Sequence, residues 1–224
     1  MHINHKIISY DKEKYDFKRL IVDLFEEENL EKIHNIHQKT NEIKPVAQDT
    51  HTDLHKKFYN KLDYGWNDLK TLYRKFIKEF ILSELKMKQV YYQTYPNLRI
   101  AFPENVAVSE WHKDTDDNNH HPFGEINFFL PLTKSYGNNS LWIESEPNKK
   151  DFKPVNLNYG DIFMFNGGEC THGNNINDTN LTRISFDFRL MPPDKYDPKH
   201  PHKTATRGHE FKLGQYYSNI DENE

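Results

Sequence analysis

The spacing of apolar residues changes near Lys88, and this change constrains the fold more than any other feature. Before it, apolar residues recur every three to four positions, which is the period of an amphipathic helix. One such stripe covers 16–37 and a second, clearer one covers 66–81. Between them, Asp49 or Thr50 would be a good N-cap for a further helix. The part before Lys88 is therefore predicted to be mainly helical.

After Lys88 the apolar runs shorten to strand length and are separated by Pro, Gly and Asn, as in an antiparallel sheet system. The segment 191–224 is rich in Pro, Lys and His and is predicted to be an irregular tail or lid. Helices followed by strands indicate an α+β fold, with the helices packed on one sheet of a sandwich or barrel. We expect one domain over 1–224, with its β core at 89–190. The strand candidates are QVYYQTY, LRIAF, VAVSEWH, EINFFLPL, SLWIES, DIFMFN and TRISFDFRL.

Composition excludes several function classes. The net charge of −4 gives no basic field for nucleic acid. Cys170 is the single cysteine, so no intrachain disulfide can form and a cytoplasmic location is expected. The N-terminal residues do not resemble a signal peptide, and no apolar stretch approaches the roughly 20 residues of a membrane span. We expect a small-molecule partner, and the sheet edges and helical face would allow a homodimer.

Candidate metal ligands concentrate in the stretch EWHKDTDDNNHH, which begins at Glu110. In a strand, residues i and i+2 point to the same face, so His112 and Asp114 would present an imidazole and a carboxylate together. His-x-Asp alone is a common chance pattern. His172, which follows a Gly-Gly turn, supplies a second imidazole. Two histidines and one carboxylate form the facial triad of a non-haem Fe(II) site, which leaves coordination positions open.

A candidate anion site follows on the next strand. Arg183 lies eleven residues beyond His172, and Ser185 shares its strand face. A guanidinium fork beside a hydroxyl suits a carboxylate. If the two segments are neighbouring strands, Arg183 lies deeper in the same cavity as the metal. A dicarboxylate could then chelate the metal at one end and pair with Arg183 at the other.

The ordered set His112-x-Asp114, His172 and Arg183-x-Ser185 resembles the Fe(II)- and 2-oxoglutarate-dependent dioxygenases. The stretches HGNNINDTNLTRISFDFRLMPP, NSLWIESEP and GDIFMFNGG resemble, more narrowly, the streptomycin-biosynthesis G-type oxygenases of bacterial carbohydrate and antibiotic clusters. The resemblance implies a double-stranded β-helix core of the jelly-roll or cupin-like kind. It implies iron on the two histidines and the aspartate, 2-oxoglutarate on Arg183 with help from Ser185, and O2 as a further co-substrate.

The same resemblance implies hydroxylation or oxidation of a small polar substrate. A sugar or sugar nucleotide in bacterial polysaccharide, capsule or natural-product assembly is the expected class. Two other readings of the residues stay open. A non-catalytic carbohydrate-binding module would use Trp111 and Trp142 to stack on sugars. A metal cupin isomerase would keep the histidines and have no need of 2-oxoglutarate.

Further polar residues are candidates for the cavity, each with a structural alternative. Asn127 lies within a buried strand, where its polar side chain needs a partner. It is therefore a candidate for lining the cavity near the co-substrate. Arg189 is expected to form a salt bridge at the rim. Residues 116–119 are read as a solvated loop, and the tail histidines at 200, 202 and 209 as solvated. The candidates for substrate contact are Gln93, Arg99, His120, His121, Trp142 and Glu144.

Overall fold

The computed structural model describes residues 3–37, 52–108, 111–204 and 207–222. Its α-helices precede all but the first of the described strands, and its sheets are antiparallel, so the predicted α+β class is confirmed. Across these ranges, none of the helices combines the length and the apolar character that a membrane span requires.

The helical layer begins with local sequence signals. The Asp16 carboxylate accepts a hydrogen bond from the backbone N–H of Arg19 (3.0 Å) and caps the first helix. A π-helical turn, Ile77–Ile81, continues the third helix into the fourth, so the stripe predicted over 66–81 forms one continuous helical segment. The helices are α1 (Phe17–Phe25), α2 (Asp53–Asp63), α3 (Asn67–Phe76) and α4 (Leu82–Leu85).

The stripe predicted over 16–37 is not one helix. It ends at Glu26, whose φ of 59° is left-handed and whose N–H bonds back to the Val22 carbonyl. A 3-10 helix, Leu30–Asn35, then returns Ile33 to the same core, which is why the apolar spacing looked continuous. Ile36, the last member of the predicted stripe, is 66% exposed.

The start of the next helix also differs from the expectation. Asp49 and Thr50, the predicted caps, lie outside the described residues. The cap of α2 is Thr52, whose hydroxyl accepts a hydrogen bond from the backbone N–H of His55 (3.2 Å).

The strands form two sheets. The larger has the order β1-β7-β4-β9-β2-β10, with β3 also paired to β9, and the smaller has the order β6-β5-β8. The strands are β1 (Lys6–Ser9), β2 (Gln89–Gln93), β3 (Asn97–Ala101), β4 (Ile126–Pro131), β5 (Trp142–Ile143), β6 (Lys153–Pro154), β7 (Asp161–Phe165), β8 (His172–Gly173), β9 (Arg183–Met191) and β10 (Tyr217–Asp221).

Strand β9 connects the helical layer to the cavity. Its even-numbered residues carry the aromatic side chains that the helices cover: Phe186 packs against Phe17 and Phe58, and Phe188 packs against Tyr73. Its odd-numbered residues from Arg183 to Arg189 are polar and lie on the opposite face because side chains alternate along a strand. Both faces are mostly buried, so the polar face of β9 lies inside the protein.

One strand prediction was wrong, and two strands of the structure were not predicted. The run VAVSEWH is not a strand in its described part, where turns and bends lead to an isolated bridge at His112. The tail is not wholly irregular, because β10 pairs with β2 along its whole length. The N-terminal part likewise contributes β1 to the edge of the large sheet, beside β7.

Candidate metal centre

The segment that carries His112 and Asp114 is held by backbone hydrogen bonds to two neighbours. The N–H of His112 donates to the His172 carbonyl (3.0 Å), and the N–H of His172 donates to the His112 carbonyl (2.9 Å). The N–H of Asp114 donates to the carbonyl of Gly167 (2.8 Å). These bonds replace the predicted strand, and they place residues from distant parts of the chain side by side.

The three predicted ligands meet at one point. Asp114 Oδ1 lies 3.4 Å from His112 Nε2 and 3.7 Å from His172 Nε2. One ligand atom from each residue can be chosen so that all lie within 4.8 Å of one another. Two imidazoles and one carboxylate at this spacing suit a divalent transition metal.

The backbone fixes the tautomer of His172. Its Nδ1 lies 3.1 Å from the Cys170 carbonyl, which can only accept, so Nδ1 carries the proton and the Nε2 lone pair faces Asp114. Burial, with a further contribution from His112, lowers the pKa of His172 to about 4. The ring is therefore neutral near neutral pH, as a metal ligand must be. The side chain of Cys170 is buried in an apolar cluster, as expected for a structural residue.

Arg189 is not at the rim, contrary to the prediction. It is 7% exposed, and its Nε donates to Asp114 Oδ2 (2.8 Å) while its NH2 group lies 3.3 Å from Asp114 Oδ1. Burial would raise the pKa of Asp114, but the charge of Arg189 and the hydrogen bond from His112 hold it well below its usual range. Asp114, which is 2% exposed, is thus a buried, ionised and paired carboxylate.

Asn127 was predicted to lie near the co-substrate. In the structure it hydrogen-bonds the Asp114 carboxylate and the backbone of the Gly167-Gly168 turn. Its Nδ2 donates to Asp114 Oδ2 (2.5 Å), and its Oδ1 accepts from the N–H of Gly167 (3.0 Å). A Cβ at position 167 would lie 2.6 Å from Asn127 Nδ2, which is closer than side chains approach. The Gly-Gly turn therefore allows Asn127 to hold Asp114, and its side chain also lines the cavity.

The triad opens into a cavity of about 390 Å³ that Arg183 also lines. Arg183 is 1% exposed, its Nε donates to the Asn139 carbonyl (2.9 Å) and its NH1 donates to Ser185 Oγ (2.7 Å). Burial, together with the nearby charge of Arg99, lowers its pKa to about 9. Within the described residues no carboxylate hydrogen-bonds this guanidinium.

The other arginines of the cavity have acidic partners. Arg99 Nε lies 3.1 Å from Asp187 Oδ1, and Arg189 NH1 donates to Asp187 Oδ2 (3.2 Å). Arg207 pairs with Asp63 of α2 at 3.2 Å.

Three of the predicted substrate residues, Gln93, Arg99 and His121, line the cavity. His121 Nδ1 donates to the buried carboxylate of Glu125 (2.7 Å), which also accepts from the Tyr217 hydroxyl. The carboxylate thereby fixes the orientation of the imidazole at the cavity wall.

The other three predicted substrate residues lie outside the cavity lining. His120 has a left-handed φ of 54° and stacks on His202 at 4.0 Å. Trp142 donates from Nε1 to the Gly137 carbonyl (3.0 Å). The Glu144 carboxylate accepts from the backbone N–H groups of Thr171 (2.6 Å) and Lys150 (2.9 Å), so its role is to hold two loops.

Two predictions concerned solvated residues: the loop 116–119 and the tail histidines. Asp116 accepts hydrogen bonds from the backbone N–H groups of Asn118 and Asn119, and both asparagines reach the cavity lining. The tail histidines are not simply solvated, since His200 Nε2 lies 2.8 Å from the His120 carbonyl. Sequence reasoning also missed a group of tail residues that line the cavity: Thr204, Arg207, His209, Gln215 and Tyr216. Phe211, Tyr216, Tyr217 and Ile220 were the sequence signals that this segment is packed.

No family model matches the chain. The streptomycin biosynthesis protein StrG of Streptomyces griseus is 32% identical over 213 residues, which cover 95% of this chain and 97% of that protein. The structure of EctD from S. alaskensis in its apo form has a TM-score of 0.54 at 12% identity and covers 94% of this chain and 79% of EctD. The non-haem alpha ketoglutarate dependent carbocyclase SnoK from nogalamycin biosynthesis has a TM-score of 0.52 at 11% identity, covering 84% and 79%.

The two structural likenesses concern the fold. The sequence likeness extends over nearly the whole of both chains, at an identity that shows common ancestry. The chain belongs to the family of the streptomycin biosynthesis protein StrG.

Proposed function

We propose that this protein is a non-haem Fe(II)- and 2-oxoglutarate-dependent oxygenase that hydroxylates or oxidises a small polar substrate. One observation carries the proposal. A single cavity is lined by a His-Asp-His cluster and by the buried Arg183, which has no carboxylate partner among the described residues. The first feature fits a catalytic metal, and the second fits an anionic co-substrate.

The residues present fit iron. His172 offers the nitrogen of a neutral imidazole, His112 offers a second imidazole nitrogen, and Asp114 offers an ionised oxygen between them. This donor set leaves other positions open and is typical of Fe(II) oxygenases. Iron would supply the activation of O2 for oxidation of the substrate.

The residues also fit the distal carboxylate of 2-oxoglutarate on Arg183. A buried cation that is not neutralised is unfavourable, and a carboxylate from the ligand removes this cost. The Ser185 hydroxyl oxygen accepts from NH1 and holds it in place, and the ring of Phe129 lies 5.4 Å from the guanidinium carbon. Arg99 and Arg189 are already paired with Asp187 and Asp114, so Arg183 is the arginine best suited to an incoming anion.

The chain's own residues perform positioning and water exclusion. Asn127 and Arg189 donate hydrogen bonds to the metal-binding carboxylate, and Cys170 fixes the tautomer of His172 through its carbonyl. Apolar side chains, Leu141 and Phe165 among them, cover part of the cavity wall. A dry site strengthens every polar contact made inside it.

The support for the substrate class comes from the sequence relative. The StrG relative is named for streptomycin biosynthesis, which agrees with a sugar or sugar-nucleotide substrate in natural-product or polysaccharide assembly. EctD and SnoK, which share the fold, support a double-stranded β-helix built from the two sheets, within one domain over 1–224. Trp142, which the carbohydrate-module alternative needs, donates to a backbone carbonyl outside the cavity. A metal cupin isomerase does not require a buried arginine such as Arg183, to which no carboxylate among the described residues hydrogen-bonds.

The test is formation of succinate from 2-oxoglutarate with added Fe(II), in the presence of a panel of nucleotide sugars. His112→Ala should abolish turnover. Arg183→Ala should raise the KM for 2-oxoglutarate on the order of 100-fold or more, because a buried charge pair is lost, and Arg183→Lys should restore part of the loss.

Arg207→Ala is the matched control, since Arg207 lines the same cavity but pairs with Asp63 at the surface. It should keep the wild-type KM for 2-oxoglutarate. If the protein binds neither Fe(II) nor 2-oxoglutarate, the oxygenase proposal is wrong. Glycan binding that survives EDTA would favour a carbohydrate-binding module. Metal-dependent turnover without 2-oxoglutarate would favour a cupin isomerase.

A further inference from the structure

We infer that Arg189 is a positioning residue of the metal centre: its guanidinium holds Asp114 so that Oδ1 is the carboxylate oxygen left facing the two histidines. The inference rests on the proposed function, because it presumes a metal on the triad. It assigns a role to an arginine that the sequence pattern of ligands does not include.

The two oxygens of Asp114 have different surroundings. Oδ2 accepts hydrogen bonds from Arg189 Nε (2.8 Å) and from Asn127 Nδ2 (2.5 Å). Oδ1 lies near both histidine Nε2 atoms, at 3.4 and 3.7 Å, and its contact with Arg189 NH2 is the longer one, at 3.3 Å. The oxygen with the two short bonds is the less available for a metal, so Asp114 would bind through Oδ1.

Arg189 is itself fixed in place. It lies near the end of the long strand β9, and its third nitrogen, NH1, donates to Asp187 Oδ2 (3.2 Å). Asp187 in turn pairs with Arg99 at 3.1 Å. Charges therefore alternate along the cavity wall, and each nitrogen of the Arg189 guanidinium has an acidic neighbour.

Asp114 depends on this anchor more than a strand residue would. Its segment has no continuous strand pairing and is held by the isolated bridge at His112 and by one backbone bond to Gly167. The backbone therefore places the carboxylate, and the side-chain partners set its orientation. A planar fork can hold a carboxylate by two nitrogens at once, which a lysine ammonium cannot do.

The test compares Arg189→Lys with Arg99→Lys, two variants that keep the charge and lose the fork. Both arginines pair with Asp187, and Arg189 is the one that holds Asp114. Metal-free protein is titrated with Fe(II) under anaerobic conditions and with Co(II), whose visible absorption reports the ligand arrangement. Circular dichroism and thermal unfolding check that each variant is folded.

Arg189→Lys should weaken metal binding by about 10- to 100-fold, the usual effect of losing a partner of a metal ligand, and should alter the Co(II) spectrum. Arg99→Lys should keep the wild-type affinity and spectrum. If Arg189→Lys does not fold, Arg189→Gln, which retains one donor nitrogen, takes its place in the same titration.

The inference is overturned if the Arg189 variant binds metal like the wild type, or if Arg99→Lys weakens binding equally. In either case wild-type binding of Fe(II) and 2-oxoglutarate would leave the proposed function intact. If the wild type binds no metal, the inference and the iron site of the proposed function both fail.

Discussion

Asp114→Asn should destabilise the metal-free protein, although removal of a metal ligand often relieves strain in an apo site. Asp114 is the buried partner of Arg189, with nitrogen–oxygen distances of 2.8 and 3.3 Å. Removal of one partner from a buried ion pair costs about 3–5 kcal/mol, because the other charge stays buried. Asp187 still compensates Arg189 in part, so we expect the lower end, about 3 kcal/mol. For a chain of this length that lowers Tm by roughly 6–12 °C.

The assay is thermal and urea unfolding of EDTA-treated protein. Asp63→Asn is the matched control, because Asp63 also pairs with an arginine, Arg207, but its side chain is 63% exposed. An exposed pair contributes about 0–1 kcal/mol, so this variant should unfold close to the wild type. A metal-free Asp114→Asn protein that is as stable as the wild type, or more stable, would refute the buried ion pair as a stabilising element.

Three further predictions concern the surroundings of the triad. Gly167→Ala should weaken metal binding and cost about 1–3 kcal/mol, because the new Cβ would displace Asn127. Gly168→Ala should be milder, because the nearest atom to its Cβ would be the Thr115 methyl carbon at 3.1 Å; equal effects of the two variants on metal affinity would contradict this. Burial raises the pKa of the Cys170 thiol to about 11, so it should react with a thiol reagent only after unfolding, and rapid reaction of the native protein would be a contrary result. His172 has a pKa of about 4 through burial and the nearby His112, against about 6.5 when unfolded, so the folded state binds fewer protons between these values. The metal-free protein should therefore lose on the order of 3 kcal/mol of stability as pH falls from about 6.5 to 4, and a urea titration that shows no decline over this range would argue against it.

The sequence was most informative where a signal is local. The change of apolar period near Lys88 predicted the α+β class because helix and strand differ in how often a side chain returns to the core. The helical period over 16–37 did not predict the end of α1 at Glu26. There a left-handed residue ends the helix, and a 3-10 helix then restores the apolar spacing. The strand prediction failed at VAVSEWH, because strand propensity does not ensure that a pairing partner is available.

Some residues of the candidate site were predicted from the sequence and others were not. His112, Asp114 and His172 were chosen from residue type and order, and the structure brings them together. Arg189 was wrongly predicted to lie at the rim, because an arginine near the end of a strand that alternates polar and apolar residues normally faces solvent. Trp142 lies in the short strand β5, and Glu144 directly follows it. Both side chains hydrogen-bond backbone groups of loops, and neither lines the cavity.

The sequence by itself determined the helical and strand halves and the residue types able to hold a metal and an anion. The tertiary structure decided which polar residues meet. The polar face of β9 is buried because the helices cover one side of the large sheet and the loops and tail enclose the other. Burial then turned Arg189 and Asp114, which lie far apart in the chain, into a close ion pair. Such a pair depends on the packing of several elements at once, and no local pattern of residues records it.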